Sequence, residues 1–543
     1  MDARQALTGA LPFAIVLAAL LSVPVCAGLL WLYRRAVLRG MSQQAGPFMA
    51  PVDTPAAVGK PPPALQVEQL AAAPDADSAA WRHTRRAPWQ SAGIYLVAGT
   101  VYAVLMALAV QMSDGMDVLP IRTAFMTLLH LWPAVLAVLL VAAYDRWHRV
   151  ALLLPYFVAV GALWLAAPHD GDSGGLKDAA LVWLLVNGPA TVLLAAFMWR
   201  RIRAVGPLVL SYMVLALLGS QAIIGWMAAD EAVLQAVTGM AFAAGLGGTS
   251  TFYAVMLIGM LLAGLLGWPL LRWLGRRYQA RAFSEMALSV DALFIIFAVV
   301  QSIGMVFSGP WWLLSGLVAF VAARLTAGLL WRLIGTPAVA PQRLLLLRVF
   351  ALGARSERLF DRLRRHWQPL GPMAMIAGPD LVTSTVEPHE FLDFMSGDLA
   401  RQFVSGTADL QRRLAAFDLR SAPDGRHRID ELFCRADTWQ MSMQRLASAS
   451  DAVLMDLRSF SPGNQGCRYE IGRLLDSVDL RRVLLLVDQS TDQPYLHATL
   501  QELWQRVAAD SPNRRPGATV RILAIDEPGH AAMVVLLGHL LLR

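Results

Sequence analysis

The residues whose types and spacing could do chemistry lie in one stretch, Asp451-Ala-Val-Leu-Met-Asp-Leu-Arg-Ser-Phe-Ser-Pro-Gly-Asn-Gln-Gly-Cys-Arg-Tyr-Glu470-Ile-Gly472. An apolar run of strand length leads into a Ser/Pro/Gly/Asn loop. A helical pattern follows, and its first turn presents Glu470. A carboxylate there faces the crevice at the end of a strand. One chemistry that would use it is cleavage of an N-glycosidic bond, in which it holds ribose hydroxyls and stabilises or attacks the oxocarbenium-like anomeric carbon. The other reading of Glu470 is a solvated carboxylate paired with Arg473 at i,i+3. Cys467 reads as a small buried hydrophobe rather than a nucleophile. With Cys26 and Cys434 it makes no pair at zinc-ligand or CxxC spacing. His366, His389 and His427 are scattered at no metal spacing, so no metal is expected.

The elements that must position Glu470 are legible around it. Strands are expected at 344–352, 373–377, 451–457, 483–488 and 519–525. Helices are expected at 357–367, 387–403, 437–447, 466–478, 495–507 and 529–541. Phe417–Cys434, with Pro423-Asp424-Gly425 at its centre, reads as a β-hairpin. Strand–helix alternation with apolar strands predicts an α/β domain over 343–543, its parallel sheet covered on both faces. Ligands in such sheets bind at the carboxyl ends of the strands.

The rest of the chain is of a different kind. Apolar residues make up 56% of the 543 and charged residues only 16%. A soluble protein carries about 25% charged residues, so a purely soluble enzyme, a fibre and a disordered chain are all excluded. Nine apolar stretches have spanning length: 9–33, 92–112, 123–143, 150–167, 179–199, 207–229, 249–271, 288–307 and 310–333. The first is too long for a cleaved signal and is followed by Arg34, Arg35 and Arg39. Residues 231–247 are apolar but short and read as a re-entrant or interfacial piece. This divides the chain into an anchor at 1–40, a Pro/Ala-rich linker at 41–90 and an eight-span bundle at 91–335, ahead of the α/β domain. The linker composition, with Pro61-Pro62-Pro63, predicts an extended or disordered segment that buries no core.

The net charge of +7 is explained by this division. Residues 344–543 hold 24 Arg and no Lys against 24 Asp+Glu; residues 1–343 hold 22 Lys+Arg against 15 Asp+Glu, a difference of +7. The excess belongs to loops beside spans and gives no phosphate-gripping surface, so no nucleic-acid partner is expected. With the N-terminus outside, the inner segments, with Arg332 at their margin, carry 18 of those 22. The outer segments carry Arg4, Arg122 and Lys177. The positive-inside rule then places the N-terminus in the periplasm and the α/β domain in the cytoplasm. Arg324 is the remaining one. It and Asp291 are the two charges placed clearly within spans, 16 residues after and 17 before Ser308, and they are expected to neutralise each other across a hairpin. Two lysines against 44 arginines suggest a GC-rich bacterial genome, hence an inner membrane.

Gly466-Cys-Arg-Tyr-Glu-Ile resembles the Trp-Cys-x-x-Glu-Leu signature of Toll/interleukin-1 receptor (TIR) domains, at the expected place after the third strand. Arg348-Val-Phe-Ala-Leu-Gly-Ala-Arg-Ser-Glu-Arg-Leu-Phe resembles that family's first strand and first helix, and Asp451–Arg458 its third strand. The stretch is also similar to the Asp…Pro-Asn-x-Gly…Glu-Ile-Gly pattern of nucleoside deoxyribosyltransferases. Gly466 stands where TIR domains have tryptophan. The resemblance covers about 200 residues and implies a flavodoxin-like fold with the functional carboxylate on Glu470. It implies Ser356, Asp380, Ser459, Asn464 and Gly466 as ligand-binding positions, NAD or a nucleotide as substrate or ligand, and homo-oligomerisation through the cytoplasmic domain. Gly378-Pro-Asp380 resembles the assembly loop of TIR domains and reads equally as a simple turn. Three functions compete: a signalling, assembly or nucleotide-sensing module in a bilayer, an N-glycosidic-bond-cleaving effector, and a transporter with a regulatory domain.

Overall fold

The computed structural model describes residues 3–43, 61–70, 79–142, 146–167, 175–197, 205–334, 340–349, 354–378, 382, 386–527 and 529–541. The chain forms two compact units. One comprises Met1–Trp31, Pro88–Gly335 and Val386–Leu392; the other comprises Leu32–Ala87, Thr336–Thr385 and Asp393–Arg543.

The first unit is helical. Its helices are α1 (Ala3–Ser42), which continues into the second unit, α2 (Ala79–Ser113), which begins in the second unit, α3 (Pro120–His130), α4 (Trp132–Ala142), α5 (Arg146–Ala166), α6 (Leu176–Phe197), α7 (Gly206–Ala229), α8 (Glu231–Ala243), α9 (Gly248–Gln279), α10 (Glu285–Ile303) and α11 (Leu314–Ile334). Among the described residues, eight helical segments are long and apolar enough to cross a membrane, α3 and α4 counting as one. Helix α7, 24 residues long, covers the remaining expected stretch, 207–229. The short piece at 231–247 is the 13-residue helix α8, capped by Asp230, whose side chain accepts from the amides of Ala232 and Val233.

Proline explains the break between α3 and α4. Pro133 has no N–H to give to the carbonyl of Leu129, four residues earlier. The side-chain amide of Asn187 on α6 supplies that bond instead, Nδ2 to Leu129 O at 3.1 Å. Asn187 in turn accepts from Gln301 Nε2 at 3.0 Å, and Gln301 Oε1 accepts from the Tyr102 hydroxyl at 2.8 Å. One chain of donors thus ties α2, α10, α6 and α3 together, and all three side chains are buried. Asn187→Leu should orphan both Leu129 O and Gln301 Nε2, costing about 2–6 kcal/mol at about 1–3 per unsatisfied group. Folded yield and melting temperature of the purified protein would show it, and a neutral result would mean that water reaches these groups.

The second unit is built on a seven-stranded sheet: β1 (Gln66–Leu70), β2 (Leu344–Arg348), β3 (Met373–Ile376), β4 (Ile429–Leu432), β5 (Ala452–Asp456), β6 (Val483–Val487) and β7 (Thr519–Ala524). The order is β1-β7-β6-β5-β2-β3-β4 and every pairing is parallel. Strands β2, β5 and β6 are buried along their whole length, which their unbroken Leu/Val/Met runs allow. Alternate residues serve opposite faces. Leu344 and Leu346 pack with α12 (Ala354–Trp367) and α18 (His530–Leu541). Leu345 and Leu347 pack with α15 (Trp439–Ala449), α16 (Gln465–Ser477) and α17 (Gln493–Gln505). Two further helices are α14 (Thr407–Ala416) and α13 (Pro388–Met395), which begins in the first unit.

Three expectations differ from the structure. The segment 417–434 is no hairpin. Its turn forms where expected, with Gly425 N bonded to Ala422 O at 2.9 Å and Gly425 at φ 76. The following residues, however, pair with β3 in parallel as an edge strand. The stretch 387–403 is not one helix: α13 ends at Met395 and a separate turn of 3₁₀ helix follows at Leu399–Gln402. Part of the Pro-rich linker also belongs to the sheet unit. Gln66–Leu70 lies along β7 at the opposite edge, Leu65 and Trp81 are buried in the two core layers, and Trp504 Nε1 donates to the Pro63 carbonyl. An edge strand needs one hydrogen-bonding partner and few apolar residues, so its composition resembles that of a linker.

Candidate functional site at the strand ends

The chain leaves β2 for β3 on one side and returns to β5 on the other, so the strand order reverses between β2 and β5. In open parallel sheets this is where a crevice opens beyond the carboxyl ends. At that edge each apolar strand gives way to an ionisable residue: Arg348 ends β2, Asp456 ends β5 opposite it in register, and Asp488 follows β6. All three are buried.

Their charges are matched locally. Arg458 binds Asp456 with two parallel bonds, Nε to Oδ1 at 2.8 Å and Nη2 to Oδ2 at 2.7 Å, and both side chains are 1% exposed. Arg458 also reaches the Arg355 carbonyl at 3.4 Å. The Arg355 guanidinium pairs with Asp488 and donates to Ser490 Oγ at 3.3 Å. Asp488 Oδ1 accepts from the Ser490 amide at 2.9 Å and hydroxyl at 2.6 Å. This network fixes the β5 and β6 loops against α12. Ser459 is held there with φ 59, a left-handed conformation rare outside glycine, and its hydroxyl meets Ser490 Oγ at 2.7 Å.

Glu470 lies on the buried side of α16 and is only 4% exposed. The solvated pairing with Arg473 is therefore ruled out. Arg473 instead approaches Asp476 at 3.6 Å and lies over the Tyr469 ring. Glu470 Oε2 has no hydrogen-bond partner among the described residues. Burial pushes its carboxyl up to about 8, against the opposing pull of the Arg348 charge. It is a neutral acid at pH 7, poised to ionise if a positive group arrives. Cys467, one turn earlier, is buried, and its thiol is raised by that burial and by the neighbouring Glu470 and Asp456 charges. A thiol held in its neutral form in this way is a poor nucleophile.

The other expected site residues divide. Ser356, in the first turn of α12, is 2% exposed and its hydroxyl is without a partner among the described residues. Asn464 caps the loop before α16, its Oδ1 accepting from the Ser461 amide at 2.9 Å and hydroxyl at 3.0 Å. That is a structural role. Gly466 is exposed, and a Cβ there would meet only the Trp439 ring, at 3.9 Å. Asp380 lies outside the described residues. His389, which stands at no metal spacing in the sequence, adjoins the carboxylates of Glu387 and Glu390: its Nδ1 is 3.3 Å from Glu387 Oε2, and Glu387 accepts from the Tyr278 hydroxyl at 3.2 Å. Glu390 reaches back to the Glu387 amide at 3.0 Å, as a residue at the third helical position does in a capping box, which accounts for the cluster at the start of α13.

Sequence reasoning missed the Arg355–Asp488 and Asp456–Arg458 pairs. The signal was the abrupt change from four or five apolar residues to a charge at each strand end. No protein-family description, no curated protein and no solved structure matches this chain.

Proposed function

We propose that this protein is a multi-pass membrane protein of the bacterial inner membrane, with its N-terminus periplasmic. Its cytoplasmic α/β unit is then a flavodoxin-like, TIR-like module that senses a nucleotide at the β2/β5 strand ends and signals by self-assembly. The length and hydropathy of the helices and the one-sided arginines support the membrane reading. The order β3-β2-β5-β6-β7 within the sheet supports the fold reading, since it is the flavodoxin-like order with one edge strand added at each side. The observation that carries the ligand reading is Glu470: a buried carboxyl with one oxygen unpartnered, at the point of reversal, favours a ligand that brings hydroxyls or positive charge. A nucleotide bearing a pyridinium-linked ribose, such as NAD, offers both. The tryptophan of the TIR signature is replaced by Gly466, and the indole of Trp439 from α15 stands beside that position.

The raised ionisation of Glu470 favours a second reading, cleavage of the N-glycosidic bond. Ionised on substrate binding, the carboxylate would stabilise the cationic sugar. The test uses the full chain in lipid nanodiscs, titrated with NAD and assayed for release of nicotinamide. Binding without release, weakened at least tenfold by Glu470→Gln, supports sensing. Release that Glu470→Gln abolishes supports cleavage. Absence of both, or either one unchanged by the substitution, would overturn the assignment of this residue.

A further inference from the structure

The expected pairing of Asp291 and Arg324 is present, Arg324 Nε lying 3.0 Å from Asp291 Oδ2. Its setting is informative. Arg324 is the central residue of the 21-residue α11, with ten residues on either side. At about 1.5 Å per residue, each helix end is about 15 Å away, beyond the reach of an arginine side chain. A lipid headgroup cannot satisfy it by snorkelling. The pair is not enclosed by its own chain either: the side chains of Arg324 and Asp291 are 35% and 20% exposed. Among the described residues Asp291 is the partner of Arg324, reached through Nε, and no acceptor for its Nη groups is found among them. The buried side of α11 is the stripe Gly316, Ala319, Ala323 and Ala327, seated on α10 so closely that a Cβ on Gly316 would fall 2.3 Å from the Ala298 carbonyl. Arg324 stands outside that stripe. On its own side are Leu317 at 55% exposed, Val321 at 44% and Gly328, which has open space beside it.

We propose that a second copy of this chain covers the Asp291–Arg324 pair, α10 and α11 of the two copies packing about a two-fold axis. This rests on the membrane reading above. In hydrocarbon a partly exposed guanidinium needs acceptors from protein. A patch carrying one cation and one anion is its own complement under two-fold symmetry, so the Arg324 of each copy can reach the Asp291 of the other. The open Gly328 lets the second backbone approach.

The experiment uses the full chain with one fluorophore per chain in nanodiscs large enough for two copies, read by single-molecule photobleaching. Bleaching in two steps is expected for most wild-type particles, and in one step for Asp291→Asn/Arg324→Gln. In addition, Val321→Cys and Leu317→Cys in the otherwise unchanged chain should cross-link to dimers with a short bis-maleimide. Cysteine at Leu265, exposed on α9, should not. That second measurement keeps the native pair intact should the double variant fold poorly. One-step bleaching of the wild type would overturn the proposal. So would cross-linking at Leu265 equal to that at Val321, or labelling of Arg324→Cys by a membrane-impermeant thiol reagent, which would indicate a water-filled cavity. Recovery of the chain without detergent would instead overturn the membrane reading.

Discussion

Arg458→Ala should be the most damaging single change in the α/β unit. The guanidinium and its partner Asp456 are both 1% exposed and joined by two bonds of 2.7–2.8 Å. Removing the cation leaves a buried carboxylate with its charge uncompensated, which costs about 3–5 kcal/mol. It also frees the Arg355 carbonyl and loosens the contact between the β5 loop and α12. Hydrogen exchange at the β5 amides of the full chain is a suitable readout, because it follows opening of this unit alone. Exchange on the order of 10²–10⁴-fold faster is expected, and Asp456→Asn/Arg458→Met should recover a large part of it, since no net charge then remains buried. Equal losses in the single and double variants would show that the pair matters for the shape of the loop rather than for its charge.

Strands β2, β3, β5, β6 and β7 and most helices were legible in the sequence because each has a local cause. Leu344–Leu347 and Val483–Val487 are too apolar to lie anywhere but between two layers of helices. The Ser-Pro-Gly-Asn run before α16 can only be a loop. Other features depend on distant partners. The neighbour of β4 is β3, more than fifty residues earlier, and nothing local distinguishes that edge strand from one arm of a hairpin. The same holds for β1, which finds its partner about 450 residues later. The burial of Glu470 was within reach, however. Cys467, Ile471 and Leu474 are spaced at i, i+4 and i+7 along α16, and Glu470 at i+3 shares their face. The helical period places the carboxylate inward, whereas the charge alone suggests solvent.

That inward position has a consequence for stability against pH. In the unfolded chain Glu470 releases its proton near 4.5, while in the folded protein burial holds the proton until about 8. Between those values the folded state binds more protons than the unfolded state. Stability due to this group is therefore complete below 4.5 and declines as pH rises to 8, by up to about 1.4 kcal/mol per pH unit. Arg348 opposes the shift, and the thiol of Cys467, itself raised by burial, lies one helical turn away. Glutamine at 470 has the shape of the protonated acid and cannot ionise. Glu470→Gln should thus melt close to wild type at pH 5 and at a clearly higher temperature at pH 8, with the gap widening between. A gap independent of pH would mean that the folded carboxylate ionises at its ordinary value, with water in the crevice. A ligand bringing positive charge next to the carboxylate would draw the ionisation down and remove this slope. NAD should accordingly stabilise the wild type more at pH 8 than at pH 5 and give Glu470→Gln no such pH dependence. That difference separates a ligand that engages the carboxylate from one that binds elsewhere on the sheet.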